Sequence, residues 1–407
     1  MSSILTNNGA MVALQTLKSI NSNMASTQSE ISTGKSVANA KDNSAVWAIS
    51  KVMEADVKGF KGISDSLNLG QSTVAVARQA SETVTDLLTD IKGKIVAAQE
   101  ENVDRDKIQT DIDALRDQIG AVVGAAQFNG LNLLANTDTT AGSGSINVLA
   151  SLDRSASGVA ASDISVAKQD LGSSAQAVGT RTTNTGGSNS AIADGATALA
   201  ITFTGTPEAG MSYEVVAGGL AFSAPVQYVA RDGDTLGDVT NKMVDALNEQ
   251  AAIDEIDVSF ATNATTGQIE MTNNTGSSIT VATADVFQSA ASGESDGTVG
   301  GGLANLADID VTSQSGVDEA LVRIEGLIQT AVDSAANFGS VQGRIETQSD
   351  FISGLTDALK SGIGSLVDAD MEETSARLQA LQVQQQLGVQ ALSIANQAPQ
   401  QLLSLFR

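Results

Sequence analysis

The sequence predicts a mainly α-helical chain with an α+β insert. The N- and C-terminal halves together form a long antiparallel helical rod with coiled-coil-like terminal helices, and a β-rich outer domain completes the chain. Three observations carry this. Proline, the strongest helix breaker, occurs only at 207, 225 and 399, leaving residues 1–206 and 226–398 free of it. Two segments far apart in sequence repeat apolar or small residues in alternating steps of three and four. Between them the period drops to two, in sequence rich in Thr, Gly, Ser and Ala.

The elements follow in order. Residues 11–31 place Met11, Leu14, Leu17, Ile20, Met24 and Ile31 on one helical stripe, diluted by Asn, Ser and Gln and without a strong cap. A heptad seam then runs Phe60, Ile63, Leu67, Gly70, Val74, Ala77, Ser81, Val84, Leu88, Ile91, Ile95, Ala98. It stops at the polar break 100–104, and a second helix reads Ile108, Ile112, Leu115, Ile119, Val122. Asn129-Gly130 marks a turn. The short apolar runs 131–134 and 146–149 are read as a β-hairpin.

In the middle, about 180–300, period-2 pairs predict four strands (Ile201/Phe203, Tyr213/Val215, Leu220/Phe222, Val226/Tyr228). A helix with the stripe Leu236, Val239, Met243, Leu247 follows, opened by Asp234 as cap candidate. Three more strands follow at Ile256/Val258/Phe260, Ile269/Met271 and Ile279/Val281. A second long seam reads Ile324, Ile328, Ala331, Ala335, Phe338, Val341, Ile345, Gln348, Ile352, Leu355, Leu359. A helix of that length needs a partner for its seam, and the seam from Phe60 is the natural one. Residues 371–394 close with Met371, Leu378, Leu381, Leu387 and Ile394 on a thin stripe. Ordering a backbone costs roughly 1–2 kcal/mol per residue, against about 25 cal/mol per Å² of apolar area buried. Both ends are therefore expected to stay largely disordered in a lone chain and to fold when neighbours cover them.

Composition restricts the chemistry. The 407 residues include no Cys and no His, which excludes Ser/His/Asp triads, Cys/His nucleophiles, disulfides and the usual zinc sites. A net charge of −25 argues against nucleic acid or an anionic membrane as partner, and no apolar run approaches the roughly 20 residues of a membrane span. The acidic group Asp368, Asp370, Glu372, Glu373 is read as helix N-terminal charge, with no metal expected. The glycine-rich segment 297–302 lacks the strand–loop–helix context of a phosphate cradle and is read as linker. No cofactor and no enzymatic activity are expected. The start, Met1-Ser-Ser-Ile-Leu-Thr-Asn-Asn, lacks the basic and apolar regions of a secretory signal, which alone predicts a cytoplasmic protein.

Both termini resemble the bacterial flagellins, the filament subunits of the flagellum. The resemblance lies in Leu14-Gln-Thr-Leu17, Ile31-Ser-Thr-Gly-Lys35 with Lys41-Asp42, and Ala126-Gln-Phe-Asn-Gly130. It continues in Phe338-Gly-Ser-Val-Gln-Gly-Arg344 and Ala395-Asn-Gln-Ala-Pro-Gln-Gln-Leu-Leu-Ser-Leu405. It covers about 1–150 and 305–407. The segment Gly233-Asp-Thr-Leu-Gly-Asp-Val239 is similar to a recurrent insertion module of that family.

The resemblance implies a swimming-motility filament subunit, exported through a specialised channel and therefore extracellular without a signal peptide. Absence of Cys suits that threading. Implied partners are other copies of itself (in a homopolymer or with other flagellins), the export apparatus and a chaperone, and the hook-associated junction and cap proteins. On this reading the eleven terminal stripe residues pack between subunits, and Gln382, Gln386, Gln390 and Gln397 line a central channel. Domains are expected at 1–43 (filament-core helix), 44–180 (rod with hairpin), 181–302 (variable surface insert), 303–367 (rod) and 368–407 (filament-core helix). The alternatives are a hook–filament junction protein of the same family and a filament subunit with an adhesive insert. The immune-receptor pattern Gln-Arg-x-Arg-Glu-Leu of related chains is missing from 89–101, where Gly93 interrupts and no arginine stands.

Overall fold

A computed structural model describes residues 7–155, 158–179, 186–216, 219–289 and 297–405. The chain divides into two compact units, residues 1–64 with 350–407, and residues 65–349. The helices are α1 (Asn8–Thr33), α2 (Ser44–Ala98), α3 (Arg105–Ala125), α4 (Leu236–Ile253), α5 (Gln314–Val367) and α6 (Met371–Leu405). The chain is thus mainly helical, with long N- and C-terminal helices and a β-rich centre. Among the described residues twelve strands lie in that centre: β1 (Gln127–Phe128), β2 (Leu131–Asn132), β3 (Ser145–Ser155), β4 (Gly158–Ala167), β5 (Ala191–Ile192), β6 (Ala196–Thr202), β7 (Ser212–Val215), β8 (Val226–Val229), β9 (Val258–Thr262), β10 (Gln268–Asn273), β11 (Ile279–Thr280) and β12 (Val286–Gln288).

In the unit 65–349 the heptad seam of α2 is the helical core. Every predicted seam position from Leu67 to Ala98 is buried. Gly70 stands in the seam because β3 crosses it: a Cβ there would lie 2.6 Å from Val148 Cγ1. Gln348 Nε2 donates to the Ala150 carbonyl at 2.9 Å and ties α5 to the same strand. Cross-helix contacts run antiparallel, from Gln71 on Glu346 through Arg78 on Gln342 and Lys92 on Glu325 to Gln99 on Asp318. Such exposed polar pairs add little energy but fix register.

The predicted seam of α5 drifts from the observed one. Leu327 and Ser334 are buried, whereas Ile328 and Ala335 are half-buried. A strict three–four alternation passes through 324, 327, 331, 334 and 338, and the sequence reading chose the more apolar neighbours. Ser334 is tolerated because its hydroxyl donates to the Thr330 carbonyl at 2.8 Å, as that of Ser81 does to Ala77 at 2.9 Å.

The hairpin expectation is corrected too. Leu131–Asn132 pairs with Gln127–Phe128 around Asn129-Gly130, both at positive φ, while Ile146 and its neighbours pair with β4. The period-2 signal missed β4 because Ala and Ser dominate it.

The insert has its own core. Sheets β6-β10-β9 and β12-β7-β8 are antiparallel, and α4 packs on β8, β9 and β10. Phe203 meets Tyr213 edge-on at 5.2 Å among Val239, Met243, Leu247, Ile269 and Met271. Leu220 and Phe222 are buried there but lie on a turn instead of the predicted strand, since a core residue needs burial and no particular dihedral. The cap of α4 is Thr235, in a reciprocal box with Asp238. Asp234, the predicted cap, instead accepts from Tyr228 Oη at 2.6 Å and from the Arg231 N–H.

The glycine run is a tight chain crossing and so departs from the linker reading. Gly301 N–H donates to the Ser174 carbonyl and Leu303 N–H to that of Gly172. A Cβ on Gly301 would lie 1.9 Å from the Gly172 oxygen, so only glycine permits the approach. Beside it the buried carboxylate of Asp170 stands 3.5 Å from Arg231. Burial raises the Asp170 pKa, opposed by Arg231 and by N–H donors that include Gly172.

Candidate self-association surface

The unit formed by residues 1–64 and 350–407 contains the terminal stripes. Here α1 and α6 pack on each other antiparallel. At one end Asn7 Oδ1 caps α1 through the Ala10 N–H at 3.1 Å, while its Nδ2 donates to the Ala395 carbonyl at 2.8 Å. Midway, Gln385 Nε2 donates to Asn21 Oδ1 at 2.8 Å. At the other end α1 closes on Gly34 in the left-handed region, φ 69°, and the connector bonds back to α5. There the Ser36 N–H donates to the Val367 carbonyl and the Ala369 N–H to that of Gly34. Asp370 caps α6 through the N–H groups of Glu372 and Glu373. The expectation of weakly capped, disordered ends is corrected in this respect: both ends are capped helices, and each stripe covers part of the other.

The mutual contact has its own three–four alternation. On α1 it takes Ala10, Ala13, Leu17, Ile20, Met24, Thr27 and Ile31, and on α6 Thr374, Leu378, Leu381, Gln385, Gly388, Leu392 and Ala395, all buried or half-buried. Gly388 lets α1 come close: a Cβ there would lie 3.3 Å from Leu17 Cδ1. Ile20 and Leu381 are 9% and 8% exposed. The sequence reading named six of these positions and missed others, among them Thr27, Gly388 and Ala395, because it followed the large apolar side chains.

The predicted stripe residues therefore fall into two groups. Leu17, Ile20, Met24, Ile31, Leu378 and Leu381 are covered within the chain. Met11, Leu14, Met371, Leu387 and Ile394 remain open to solvent, Leu387 at 58% and Ile394 at 69%. Val12, Val383 and Val389 are exposed as well, and sequence reasoning did not single them out. Gln382, Gln386, Gln390 and Gln397 are all exposed on α6.

The unit's electrostatics are mild. Lys51, bonded to Glu54 at 2.6 Å, holds that carboxyl below its ordinary range, with Lys35 at 3.8 Å adding to the pull. With ten Asp and Glu against nine Lys and Arg, the unit is almost neutral, while residues 65–349 carry 37 against 13. An apolar surface on a nearly neutral body is chemically suited to self-association, because contact removes hydrocarbon from water without bringing like charges together.

Comparison with known proteins matches residues 4–139 to the bacterial flagellin N-terminal helical region and residues 321–406 to the bacterial flagellin C-terminal helical region. Flagellin A of Rhizobium meliloti is 36% identical over 432 residues, with both chains covered completely. A flagellin of Brucella melitensis is 31% identical over 408 residues, again with full coverage of both. Among solved structures, FliC from Burkholderia pseudomallei aligns with TM-score 0.32 at 15% identity, over 68% of this chain and 99% of its own length.

Proposed function

Because this chain belongs to the bacterial flagellin family and is a structural subunit of the extracellular flagellar filament, we propose that its copies join through the half of the terminal stripes that the chain leaves uncovered. The observation that carries this reading is the split itself. Six predicted residues are spent on the α1–α6 pair, and the other five remain exposed on the same two helices together with Val12, Val383 and Val389. Burying one leucine-sized side chain is worth about 1.5–3 kcal/mol, so a few such contacts per subunit suffice for a filament whose contact repeats without closing.

On this reading residues 1–43 and 368–407 are the filament-core helices. Residues 44–180 and 303–367 form the supporting helical region, and 181–302 the surface insert. The exposed glutamines Gln382, Gln386, Gln390 and Gln397 suit a channel lining, since an uncharged polar wall neither holds nor repels a passing unfolded chain. The export apparatus, its chaperone, and the junction and cap proteins are the further partners this role requires. Helical reconstruction of the native filament tests the assignment. The expected map has α1 and α6 innermost with Leu387 and Ile394 against neighbouring copies; a core built from the insert would overturn it.

A further inference from the structure

Residues 65–349 carry a net charge of −24, and among their described side chains one arginine is left over. The other arginines of this unit with described side chains are engaged internally: Arg78 on Gln342 and Glu82, Arg105 on the Ala98 carbonyl and Gln314, Arg116 on Asp113, Arg231 on Asp170 and Arg323 on Glu249. Arg344 lies exposed on α5 with no such partner among the described residues. It borders a shallow groove of about 440 Å³, lined also by Ile164, Ser340, Gly343, Thr347 and Gln348. No neighbour would meet a Cβ at Gly343, so the helix surface beside the guanidinium is open.

We propose that this groove receives a carboxylate side chain from a second copy of the chain, an inference that rests on the filament reading above. Copies that each carry this acidic unit repel wherever the units face one another. A free guanidinium turns one such encounter into attraction, because its planar fork accepts a carboxylate through two parallel N–H···O bonds. Carboxylates are spread over the whole unit, whereas among the described side chains the unengaged arginine stands at one place. The pairing therefore selects a register between copies as well as holding them. The groove is shallow and open, with the Arg344 guanidinium beside Ser340, Thr347 and Gln348, which suits the tip of a side chain and not a small molecule that needs an enclosed pocket.

The absence of cysteine gives a direct test. Ser340→Cys puts the chain's single thiol in the groove. Alkylation is expected to be fast in the free chain and at least about tenfold slower in pelleted polymer. Arg344→Lys, treated with a carbodiimide, is expected to yield an amide between the new amine and a carboxylate of another copy. The carboxylate loses its oxygen to the carbodiimide, which leaves as the urea, and peptide mass spectrometry identifies the acid. Arg344→Glu is expected to raise the concentration needed for polymer at least tenfold, with the free chain's circular dichroism unchanged. The groove proposal falls if the thiol is equally reactive in both states or shielded already in the free chain. It falls equally if position 344 couples only to its own chain, or if Arg344→Glu polymerises at the wild-type concentration. Failure of the wild-type chain itself to pellet would instead sink the filament reading.

Discussion

The α1–α6 pair and the seam of α2 use the same three–four spacing and finish in different states. In α2 every seam position from Leu67 to Ala98 is buried; within that stretch Leu69 and Val96 are the large apolar residues open to solvent, with Ile49 and Val52 exposed nearer the start of the helix. In α1 and α6 the seam mixes large residues such as Leu17, Ile20, Leu378 and Leu381 with small or polar ones such as Thr27, Gln385 and Gly388, while Met11, Leu14, Leu387 and Ile394 sit outside it. A seam that takes the large residues completes a fold. One that takes Thr27, Gln385 and Gly388 beside its larger members leaves leucine and isoleucine in water, on the surface proposed for association. Charge follows the same division, with the acidic excess confined to residues 65–349.

The sharpest way to break the comparison is inside the finished seam. Phe338 is 1% exposed, and Phe338→Ala is expected to lower the stability of the free chain by about 3–5 kcal/mol in denaturant melts. A loss below about 1 kcal/mol would mean that the seam tolerates a void. Gly70→Ala should cost about 1–3 kcal/mol, because the new methyl has to displace Val148 or the strand that carries it; an unchanged midpoint would show that β3 moves freely over α2.

Smaller effects belong to the terminal pair. Gln385→Ala removes the bond to Asn21, and about 0.5–1.5 kcal/mol of local stability should be lost. Hydrogen exchange of the α1 and α6 amides measures it; unchanged protection would show that the bond contributes nothing to the pair. The smallest expected effect on the free chain is that of Leu387→Asp, within about 0.5 kcal/mol, because the side chain is solvated already.

Much of this was legible in the sequence where one physical signal dominates. Branched and aliphatic residues at strict spacing gave the α2 seam, and the stripe Leu236, Val239, Met243, Leu247 gave α4. Legibility faded where burial is decided by close approach. Spacing alone places Gly70 and Ser81 in the seam but not Thr27 and Gly388, because at Gly388 it is the approach of Leu17 that makes a core position and hydropathy carries no trace of that. Ser334 was passed over for the more apolar Ala335, although the three–four spacing runs through 334. The Gly301 crossing was read as linker because its partner, Gly172, lies more than a hundred residues away in sequence. At the terminal helices the stripe residues were visible, but not their division, since one helix alone cannot say which half of its apolar surface its partner covers.

The central claim is that the exposed half of the terminal stripes joins copies while the covered half holds α1 to α6. Leu387→Asp tests it most directly, with Leu381→Asp beside it, by comparing thermal melting of the free chain with sedimentation of polymer. An unpaired charge in a closed contact costs on the order of several kcal/mol. The account predicts that Leu387→Asp leaves the melting curve unchanged and abolishes the pellet, whereas Leu381→Asp, placed in the covered seam, loses helix in the free chain as well. Normal polymer from Leu387→Asp would contradict the claim, and so would a free chain that this one exposed substitution unfolds.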